Sequence, residues 1–295
     1  MRIDQLLVQR GLASTRSQAQ RLIADGVEWQ KFEAAGEFWK RIAKNGDDVP
    51  EDAPIRLLDD SEARYVSRGG LKLEAALKHV GLQVAGLACL DVGQSTGGFT
   101  DCLLQAGAKS VVGVDVGSAQ LHPSLREDTR VLCVEGVNAR TLSAMDLVAA
   151  YAMSTGADGQ FDVESDDAFA EDGELDDVQE VDMAAVELPD EFAPSFDVIV
   201  ADLSFISQTL VLPAVVPMLK SGGTLLTLVK PQFELQPGQV GKGGIVKDDA
   251  MYPIVESRLR EACADLGLEV SAWFDSPITG GDGNREFFIC ARKAG

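Results

Sequence analysis

Short apolar segments alternate with segments of helical periodicity from about residue 65 onward, and this alternation limits the possible folds most strongly. The apolar segments predict strands at residues 87–92, 111–116, 131–134, 196–202, 224–229, 268–274 and 286–291. The intervening periodicity predicts helices at residues 71–80, 99–106, 119–126, 207–219 and 252–266. Strands that are apolar throughout are typical of a parallel sheet with helices on both faces. We therefore predict an α/β fold, with an antiparallel pair of late strands at one edge.

Residues 1–60 have a different character, which predicts a separate small domain. Apolar residues recur there at helical spacing and predict two short helices, with Arg2, Arg10, Arg16 and Arg21 on or beside them. A stretch rich in proline and aspartate at residues 49–54 indicates a turn or linker. We therefore place a first domain at residues 1–60, a linker at 61–66 and the main domain at 67–295.

The formal net charge is −21, and one segment carries most of it. Residues 151–195 contain 15 acidic residues and no lysine or arginine, whereas the remainder has 32 acidic and 26 basic residues. A run of like charges with few β-branched residues predicts a disordered insertion within the main domain. Mimicry of nucleic acid is the alternative interpretation of this segment. The charge of the remainder is compatible with a polyanionic partner.

The five cysteines are scattered and never occur in C-x-x-C spacing. This pattern predicts buried, reduced thiols in a cytoplasmic protein and no metal site. The N-terminal segment lacks the long apolar core of a signal peptide. The longest apolar run, at residues 210–219, contains two prolines and is shorter than the roughly 20 residues that span a bilayer. We therefore expect no membrane partner.

A glycine-rich turn at residues 90–100 is the strongest local motif. Asp91 lies near the end of a predicted strand, and Gly93, Gly97 and Gly98 follow before a predicted helix. In a doubly wound sheet, such a turn lies at the carboxyl edge, where ligands bind. The spacing does not match G-x-G-x-x-G, and no G-x-x-x-x-G-K-[ST] loop is present, so dinucleotide binding and NTP hydrolysis are poorly supported.

The next predicted strand ends at Asp115, about 20 residues after the turn, which suits hydrogen bonding to ribose hydroxyls. Capping of the following helix is the structural alternative, and the two roles are compatible. Residues 135–138 follow one strand later at the same edge, where they would border an adenine. The pattern favours a ligand that contains adenosine.

Four ionisable residues stand at the ends of predicted elements, namely Lys72, Asp202, Lys230 and Glu286. Asp202 and Lys230 end strands at the carboxyl edge, where a parallel sheet gathers its active site. A single charged residue at the end of an apolar strand often marks only the point where the strand ends and has no catalytic role. Two bases and two acids together form a more specific arrangement.

These motifs resemble those of the TlyA family, in which an S4-type RNA-binding domain precedes an FtsJ-like ribose methyltransferase domain. The family also carries the label haemolysin A. The resemblance is carried by residues 2–7, 67–73, 93–100, 120–122, 201–207, 230–234 and 241–246. These motifs follow the family's order and extend over nearly the whole chain apart from the acidic segment.

The resemblance implies a Rossmann-like sheet that binds S-adenosylmethionine, joined to a small α+β RNA-binding domain. It implies an enzyme that methylates the ribose 2′-oxygen of a cytidine in ribosomal RNA, with ribosomal subunits as partners. The family's catalytic tetrad falls on Lys72, Asp202, Lys230 and Glu286. The implied cofactor-binding residues are Asp91, Gly93, Ser95, Thr96, Gly97, Gly98, Phe99, Asp115, Val116, Asn138 and Asp202. The expected RNA-binding residues are Arg2, Arg10, Arg16, Arg21, Lys40, Arg41 and Arg68.

A ribose hydroxyl must lose its proton as it attacks a sulfonium methyl group. A neutral lysine amine can accept this proton, and a charged one can stabilise the developing alkoxide. We expect Lys230 in this role, with Lys72 disfavouring its charged form and with Asp202 and Glu286 orienting it. Two segments depart from the family. Residues 28–41 lack the expected hairpin pattern, and Gln94 occupies a position that is usually small, where we expect it to crowd or hydrogen-bond the cofactor.

Three other functions are weaker alternatives. A noncatalytic RNA-binding factor of ribosome assembly would keep the fold, but all four tetrad residues are present. A membrane-damaging haemolysin would need a spanning or strongly amphipathic basic segment, which the sequence lacks. A nicotinamide oxidoreductase is disfavoured by the glycine spacing.

Overall fold

The computed structural model describes residues 1–13, 15–33, 36–58, 63–155, 194–278, 280 and 283–295. Within these ranges the chain forms a sheet of three strands and a sheet of seven. The strands are β1 (Val27–Glu33), β2 (Gly36–Arg41), β3 (Ile55–Leu57), β4 (Ala88–Val92), β5 (Ser110–Asp115), β6 (Val131–Glu135), β7 (Phe196–Asp202), β8 (Leu219–Val229), β9 (Leu268–Asp275) and β10 (Phe287–Lys293). The α-helices are α1 (Ile3–Gln9), α2 (Arg16–Gly26), α3 (Gly69–Val80), α4 (Gly98–Gln105), α5 (Pro123–Arg126), α6 (Ala144–Thr155), α7 (Leu212–Val215), α8 (Pro231–Glu234) and α9 (Met251–Asp265).

The large sheet has the strand order β6-β5-β4-β7-β8-β10-β9. The strands from β6 to β8 pair in parallel, and β10 is antiparallel to both β8 and β9. This arrangement confirms the predicted α/β fold with antiparallel strands at one edge. The chain runs outward from β4 to β6 and returns on the other side of β4 at β7. This reversal opens a crevice at the carboxyl ends of β4 and β7.

Helices bury both faces of the large sheet, as the apolar strands predict. On one face, Leu73 of α3 and Leu103 of α4 belong to a core that includes Val198 of β7. On the other face, Leu147 of α6 and Leu259 of α9 belong to a second core. Successive side chains of a strand point to opposite faces, so each strand supplies residues to both cores.

The helix predicted at residues 207–219 is broken, and this part of the prediction is wrong. A 3-10 turn at Gln208–Leu210, the short α7 and a 3-10 turn at Val216–Met218 replace it. Pro213 and Pro217 supply no N–H group for a continuous ladder of hydrogen bonds.

Two further helices differ from the sequence expectation. The helix predicted at residues 119–126 is reduced to α5, which begins at Pro123. α6 was not predicted, and its last residues, 151–155, belong to the segment assigned to the acidic insertion. The predicted disorder of residues 156–193 lies outside the described residues.

α1 and α2 pack on the small sheet, whose strand order is β2-β1-β3. Their apolar residues, among them Leu6 and Leu22, are almost completely buried. Residues 28–41 form a hairpin although they lack the expected hairpin pattern, because β1 and β2 pair from Glu28 with Arg41 to Glu33 with Gly36. Gly36 has a φ of 121°, a conformation that favours glycine at the end of this hairpin.

The cysteines are free thiols, and four of them are buried, as predicted. Among the described residues, no helix combines the length and the apolar character needed to cross a bilayer. The same part of the chain contains no cluster of three or more histidine, cysteine, aspartate or glutamate side chains arranged to hold a metal ion.

Candidate active site

The four ionisable residues predicted from the sequence meet at the carboxyl edge of the large sheet. Lys72 lies in the first turn of α3, Asp202 ends β7, Lys230 follows β8 and Glu286 precedes β10. Lys72 forms a buried ion pair with Glu286. Nζ of Lys230 lies 2.6 Å from Oδ1 of Asp202. The tetrad is therefore arranged as two ion pairs.

Strand register explains why these residues meet. Phe287 pairs with Val229, so Glu286 and Lys230 are the next residues at adjacent strand ends. Asp202 pairs with Leu228 between the parallel strands β7 and β8. Because parallel strands end at the same edge of a sheet, the polar residues that end them become neighbours.

Lys72 reaches this edge because α3 and α4 begin in close contact. A β-carbon at Gly98, the first residue of α4, would lie 3.0 Å from the backbone nitrogen of Gly70 in α3 and 2.2 Å from Oγ of Ser67. Glycine at this position therefore lets the first turns of the two helices approach each other. α3 thereby places Lys72 against Glu286.

The electrostatic environment of Glu286 depends on the other three tetrad residues. Burial raises the pKa of Glu286 above its ordinary value. The nearby amines of Lys72 and Lys230 act in the opposite direction, and the carboxylate of Asp202 adds to the rise. The two lysines thus offset part of the cost of burying this acid.

The glycine-rich turn between β4 and α4 lies directly against the end of β7. A β-carbon at Gly93 would lie 2.7 Å from the backbone oxygen of Asp202. The carboxylate of Asp115 accepts hydrogen bonds from the backbone N–H groups of Ser95 and Gly117, both at 2.7 Å. Asp115 therefore lies beside the turn, as predicted, and also binds the backbone of the segment that follows it.

A cleft runs over this edge of the sheet and consists of two adjoining cavities of about 230 and 550 Å³. Gly93, Ser95, Asp202 and Ser204 line both cavities. The smaller cavity also contacts Lys230, and the larger one extends past Asp115. The predicted cofactor-binding residues that line the cleft are Gly93, Ser95, Thr96, Gly98, Phe99, Asp115, Val116, Asn138 and Asp202.

Asp91 and Gly97, also predicted to bind the cofactor, do not line the cleft. Asp91 is completely buried beneath the turn, where the hydroxyl of Thr100 donates to its Oδ2 at 2.7 Å. A β-carbon at Gly97 would lie 2.4 Å from Leu125, so this glycine packs against the interior. Asp91 has no exposed atoms for a ligand, and both residues support the turn from below.

The side chain of Gln94 is also largely buried. It borders the smaller cavity, but only 4% of the residue is exposed, and its Nε2 donates to Oγ1 of Thr100 at 2.9 Å. The side chain fills the space above Gly113, where a β-carbon would lie 1.8 Å from Nε2 of Gln94. The amide therefore extends a buried chain of hydrogen bonds through Thr100 to Asp91, and its contact with the cofactor stays a prediction.

Arg2, Arg10 and Arg16 are among the expected RNA-binding residues that have partners within the small domain. Arg2 and Arg16 both pair with the buried carboxylate of Asp4, at 3.0 and 2.9 Å. These arginines, Arg2 above all, lower the pKa of Asp4 to about 2. Arg10 donates to the backbone oxygen of Ala53 at 2.7 Å. Their contact with RNA stays a prediction.

The other expected RNA-binding residues lie on different elements. Lys40 and Arg41 are exposed on β2. Arg21 lies on α2. Arg68 directly precedes α3, near the beginning of the main domain in the sequence.

Two residues of the loop after β7 contribute to the site but were not predicted as site residues, although they lie in the motif at residues 201–207. Oγ of Ser204 accepts a hydrogen bond from Nζ of Lys230 at 2.9 Å. Phe205 lines the larger cavity with 90% of its surface exposed and has a φ of 64°, which is rare for a residue with a side chain. Their position directly after Asp202 was the available signal.

Each of the two parts of the chain is similar to a known protein family. Residues 65–293 match the model of the FtsJ-like methyltransferases, and residues 1–26 match the model of the S4 domain. The 16S/23S rRNA (cytidine-2′-O)-methyltransferase TlyA of Mycobacterium tuberculosis is 36% identical, over 99% of this chain and 89% of that protein. Hemolysin A of Brachyspira hyodysenteriae is 33% identical, over 97% of this chain and 98% of that protein.

A solved structure from Streptococcus thermophilus, described as a "putative hemolysin", has 34% sequence identity and a TM-score of 0.64. The match covers 100% of this chain and 88% of that one. These similarities extend over both domains and agree with the fold and with the motifs at the cleft. The chain belongs to the TlyA family, in which an S4 domain precedes an FtsJ-like methyltransferase domain.

Proposed function

We propose that the protein transfers a methyl group from S-adenosylmethionine to the 2′-hydroxyl of a cytidine in ribosomal RNA. The observation that carries this proposal is the convergence of Lys72, Asp202, Lys230 and Glu286 beside the glycine-rich turn. The name of the Mycobacterium tuberculosis relative supports the choice of cytidine and of ribosomal RNA.

The larger cavity suits the adenosyl part of S-adenosylmethionine. Asp115 lies at the end of β5, where a carboxylate can accept hydrogen bonds from ribose hydroxyls. Val116 is apolar and 72% exposed, and with Asn138 it borders the same cavity. An adenine ring would cover this exposed apolar surface. The bare backbone of Gly93 and Gly98 leaves room for the methionine part next to Lys230.

The bound cofactor supplies an electrophilic methyl group, and the chain's own residues prepare the acceptor. Asp202 and Ser204 hold the amine of Lys230 at the cleft. From there Lys230 either accepts the proton of the ribose hydroxyl or, when charged, stabilises the alkoxide. Lys72 pairs with Glu286, which leaves Lys230 and Asp202 to face the acceptor. Alignment of the reacting atoms supplies much of the remaining rate enhancement.

The acceptor RNA would enter beside Phe205, whose exposed ring lies 5.1 Å from the ring of Phe233, measured between centroids. Exposed aromatic rings stack on the unpaired bases that proteins recognise in RNA. The exposed basic residues Lys40 and Arg41 of the S4 domain would supply phosphate contacts. These features support an RNA substrate over a small molecule.

The proposal is tested by transfer of labelled methyl groups from S-adenosylmethionine to isolated ribosomal subunits. Lys230→Ala should abolish transfer while RNA binding is retained. Lys220→Ala is the matched control, because Lys220 lies near the opposite end of β8 and pairs with Asp197. Equal transfer by Lys230→Ala and the wild type would refute the assigned chemistry. RNA binding by a wild type that transfers nothing would instead favour a noncatalytic assembly factor.

A further inference from the structure

Glu234, the last residue of α8, is a buried carboxylate with no part in the proposed chemistry. Only 3% of the residue is exposed, and both of its oxygens are used. The hydroxyl of Ser207 donates to Oε2 at 2.5 Å, and the backbone N–H of Gln208 donates to Oε1 at 2.8 Å. Glu234 therefore connects the segment after β8 to the segment after β7.

The side chain of Gln208 adds a second connection, which joins the segment after β7 to β8 itself. Its Nε2 donates to the backbone oxygen of Leu228 at 2.7 Å, and its Oε1 accepts a hydrogen bond from the hydroxyl of Thr227 at 2.6 Å. Arg258 of α9 donates to the backbone oxygen of Glu234 at 2.5 Å. The residues at 207–208 are thus fixed to β8 and α8 by an interlocked set of hydrogen bonds.

Burying this acid has a cost that the structure offsets locally. Burial raises the pKa of Glu234, whereas the two hydrogen bonds from residues 207 and 208 and the charge of Arg258 act in the opposite direction. A carboxylate suits this position because it is purely an acceptor and two donors converge on it. An alanine here would leave both donors unpaired in the interior.

The hydrogen bonds of Glu234 and Gln208 hold one end of a short loop, and this loop lines the mouth of the cleft. It runs from Asp202, at the end of β7, to Ser207, where Glu234 binds it. Within it, Ser204 accepts the hydrogen bond from Lys230, and Phe205 combines a positive φ with an exposed ring. A backbone in a disfavoured conformation persists only when its surroundings enforce it. The two fixed ends of the loop supply that enforcement.

We propose that Glu234 is a positioning residue for methyl transfer. It acts through Ser207 and Gln208 to fix the loop at residues 203–206, and so places Ser204 against Lys230 and Phe205 at the mouth of the cleft. The predicted effect of Glu234 on methyl transfer rests on the proposed function, whereas its predicted effect on the conformation of the loop is independent of that function.

The test compares Glu234→Ala, the conservative variant Glu234→Gln and the control Glu256→Ala with the wild type. Glu256 is a glutamate on α9 that pairs with Arg260 at the surface. Hydrogen exchange measured by mass spectrometry should be about 10-fold faster at residues 203–209 in Glu234→Ala, with unchanged exchange in β10 and α3. In Glu234→Gln the amide oxygen still accepts from the N–H of Gln208, and the hydroxyl of Ser207 can rotate to accept from the amide N–H, so this variant should remain close to the wild type, as should the control.

Methyl transfer is then measured at saturating S-adenosylmethionine and RNA. Glu234→Ala should be slowed about 100-fold, as expected when reacting groups are displaced by about 1 Å. Unchanged exchange at residues 203–209 would overturn the proposal, and so would faster exchange throughout the main domain or a wild-type rate of transfer with a loosened loop. A wild type that transfers no methyl group would defeat the proposed function alone, and the exchange measurement would still decide the role of Glu234.

Discussion

Lys72 and Glu286 form a buried ion pair although they are 214 positions apart in the chain. The pair connects α3, the first helix of the main domain, to the start of its last strand, β10. The pair therefore belongs to the candidate active site and also holds the two ends of the main domain together. Its removal should affect the stability of the protein as well as methyl transfer.

We expect Lys72→Met to lower the free energy of unfolding by about 3–5 kcal/mol, because it leaves a buried carboxylate without its partner. The double variant Lys72→Met/Glu286→Leu should recover most of this loss, since no unpaired charge remains. Urea denaturation measures both effects. Arg64→Ala, which breaks an exposed pair with Glu74, is the control and should change stability by less than about 1 kcal/mol. A double variant no more stable than the single variant would contradict this account.

Asp91 gives the stability a dependence on pH. Burial raises its pKa from 3.8 to about 7, so the folded protein holds a proton that the unfolded chain releases between these values. Its contribution to the free energy of unfolding therefore falls as the pH rises from about 4 to about 7 and is constant above that. Asp91→Asn keeps an acceptor for Thr100 and should be more stable than the wild type at about pH 8, by on the order of a few kcal/mol.

Denaturation curves of Asp91→Asn and the wild type over this pH range measure the difference directly. The gain in stability should shrink toward zero near pH 4, where Asp91 is protonated in both states. A difference that does not change with pH would show that Asp91 is charged in the folded protein.

The contribution of Asp4 to stability depends on pH in the opposite direction to that of Asp91. Its pKa is lowered to about 2 by hydrogen bonding to Arg2 and Arg16, so its contribution to stability is present above about pH 4 and is lost as the pH falls toward 2. Asp4→Asn should destabilise the protein at neutral pH by about 1–2 kcal/mol, because the partner arginines are half exposed. Thermal unfolding at neutral and acidic pH checks this, and equal loss at both values would contradict it.

Asp115→Ala should weaken the binding of S-adenosylmethionine by about 10- to 100-fold. The substitution removes an acceptor for ribose hydroxyls and leaves the N–H groups of Ser95 and Gly117 without their carboxylate. Isothermal titration calorimetry measures the affinity. Asp128→Ala removes a surface carboxylate that pairs with Arg130 and should leave the affinity unchanged. Equal affinities for both variants would remove Asp115 from the cofactor site.

Lys40 and Arg41 are expected to contact RNA phosphates. Lys40→Ala and Arg41→Ala should each weaken RNA binding at low salt and reduce the slope of log affinity against log salt by about 1. Arg2→Ala should in addition lower the thermal stability, because Arg2 pairs with the buried Asp4. Unchanged salt slopes for the β2 variants would place the RNA on another surface.

Local rules predicted the main sheet and the meeting of the tetrad. Apolar strands separated by helices specify a parallel sheet, and Asp202 and Lys230 at strand ends must then share one edge. The presence of Lys72 and Glu286 at this edge followed only from the resemblance to a family, and their pairing with each other was not predicted, because no local pattern connects residues so far apart. The domain boundaries and the linker at 61–66 stay predictions.

The errors concern contacts that only the folded chain creates. Gln94 turns inward because Gly113 on the neighbouring strand leaves space for it, and nothing near Gln94 in the sequence reveals this. Asp91 is buried within β4, where its carboxylate accepts a hydrogen bond from Thr100, and this contact too is visible only in the folded chain. Residues 28–41 form a hairpin without the expected turn signal because β1 also pairs with β3 and packs on the small domain's core.

The central claim is the methylation of a ribose oxygen by the tetrad, and the most direct measurement is the identity of the methylated nucleoside. Ribosomal RNA is treated with the wild type or with Lys230→Ala in the presence of S-adenosylmethionine, digested to nucleosides and analysed by mass spectrometry. We expect 2′-O-methylcytidine with the wild type and none with the variant. A methyl group on a base, or equal amounts of 2′-O-methylcytidine with both proteins, would contradict the account.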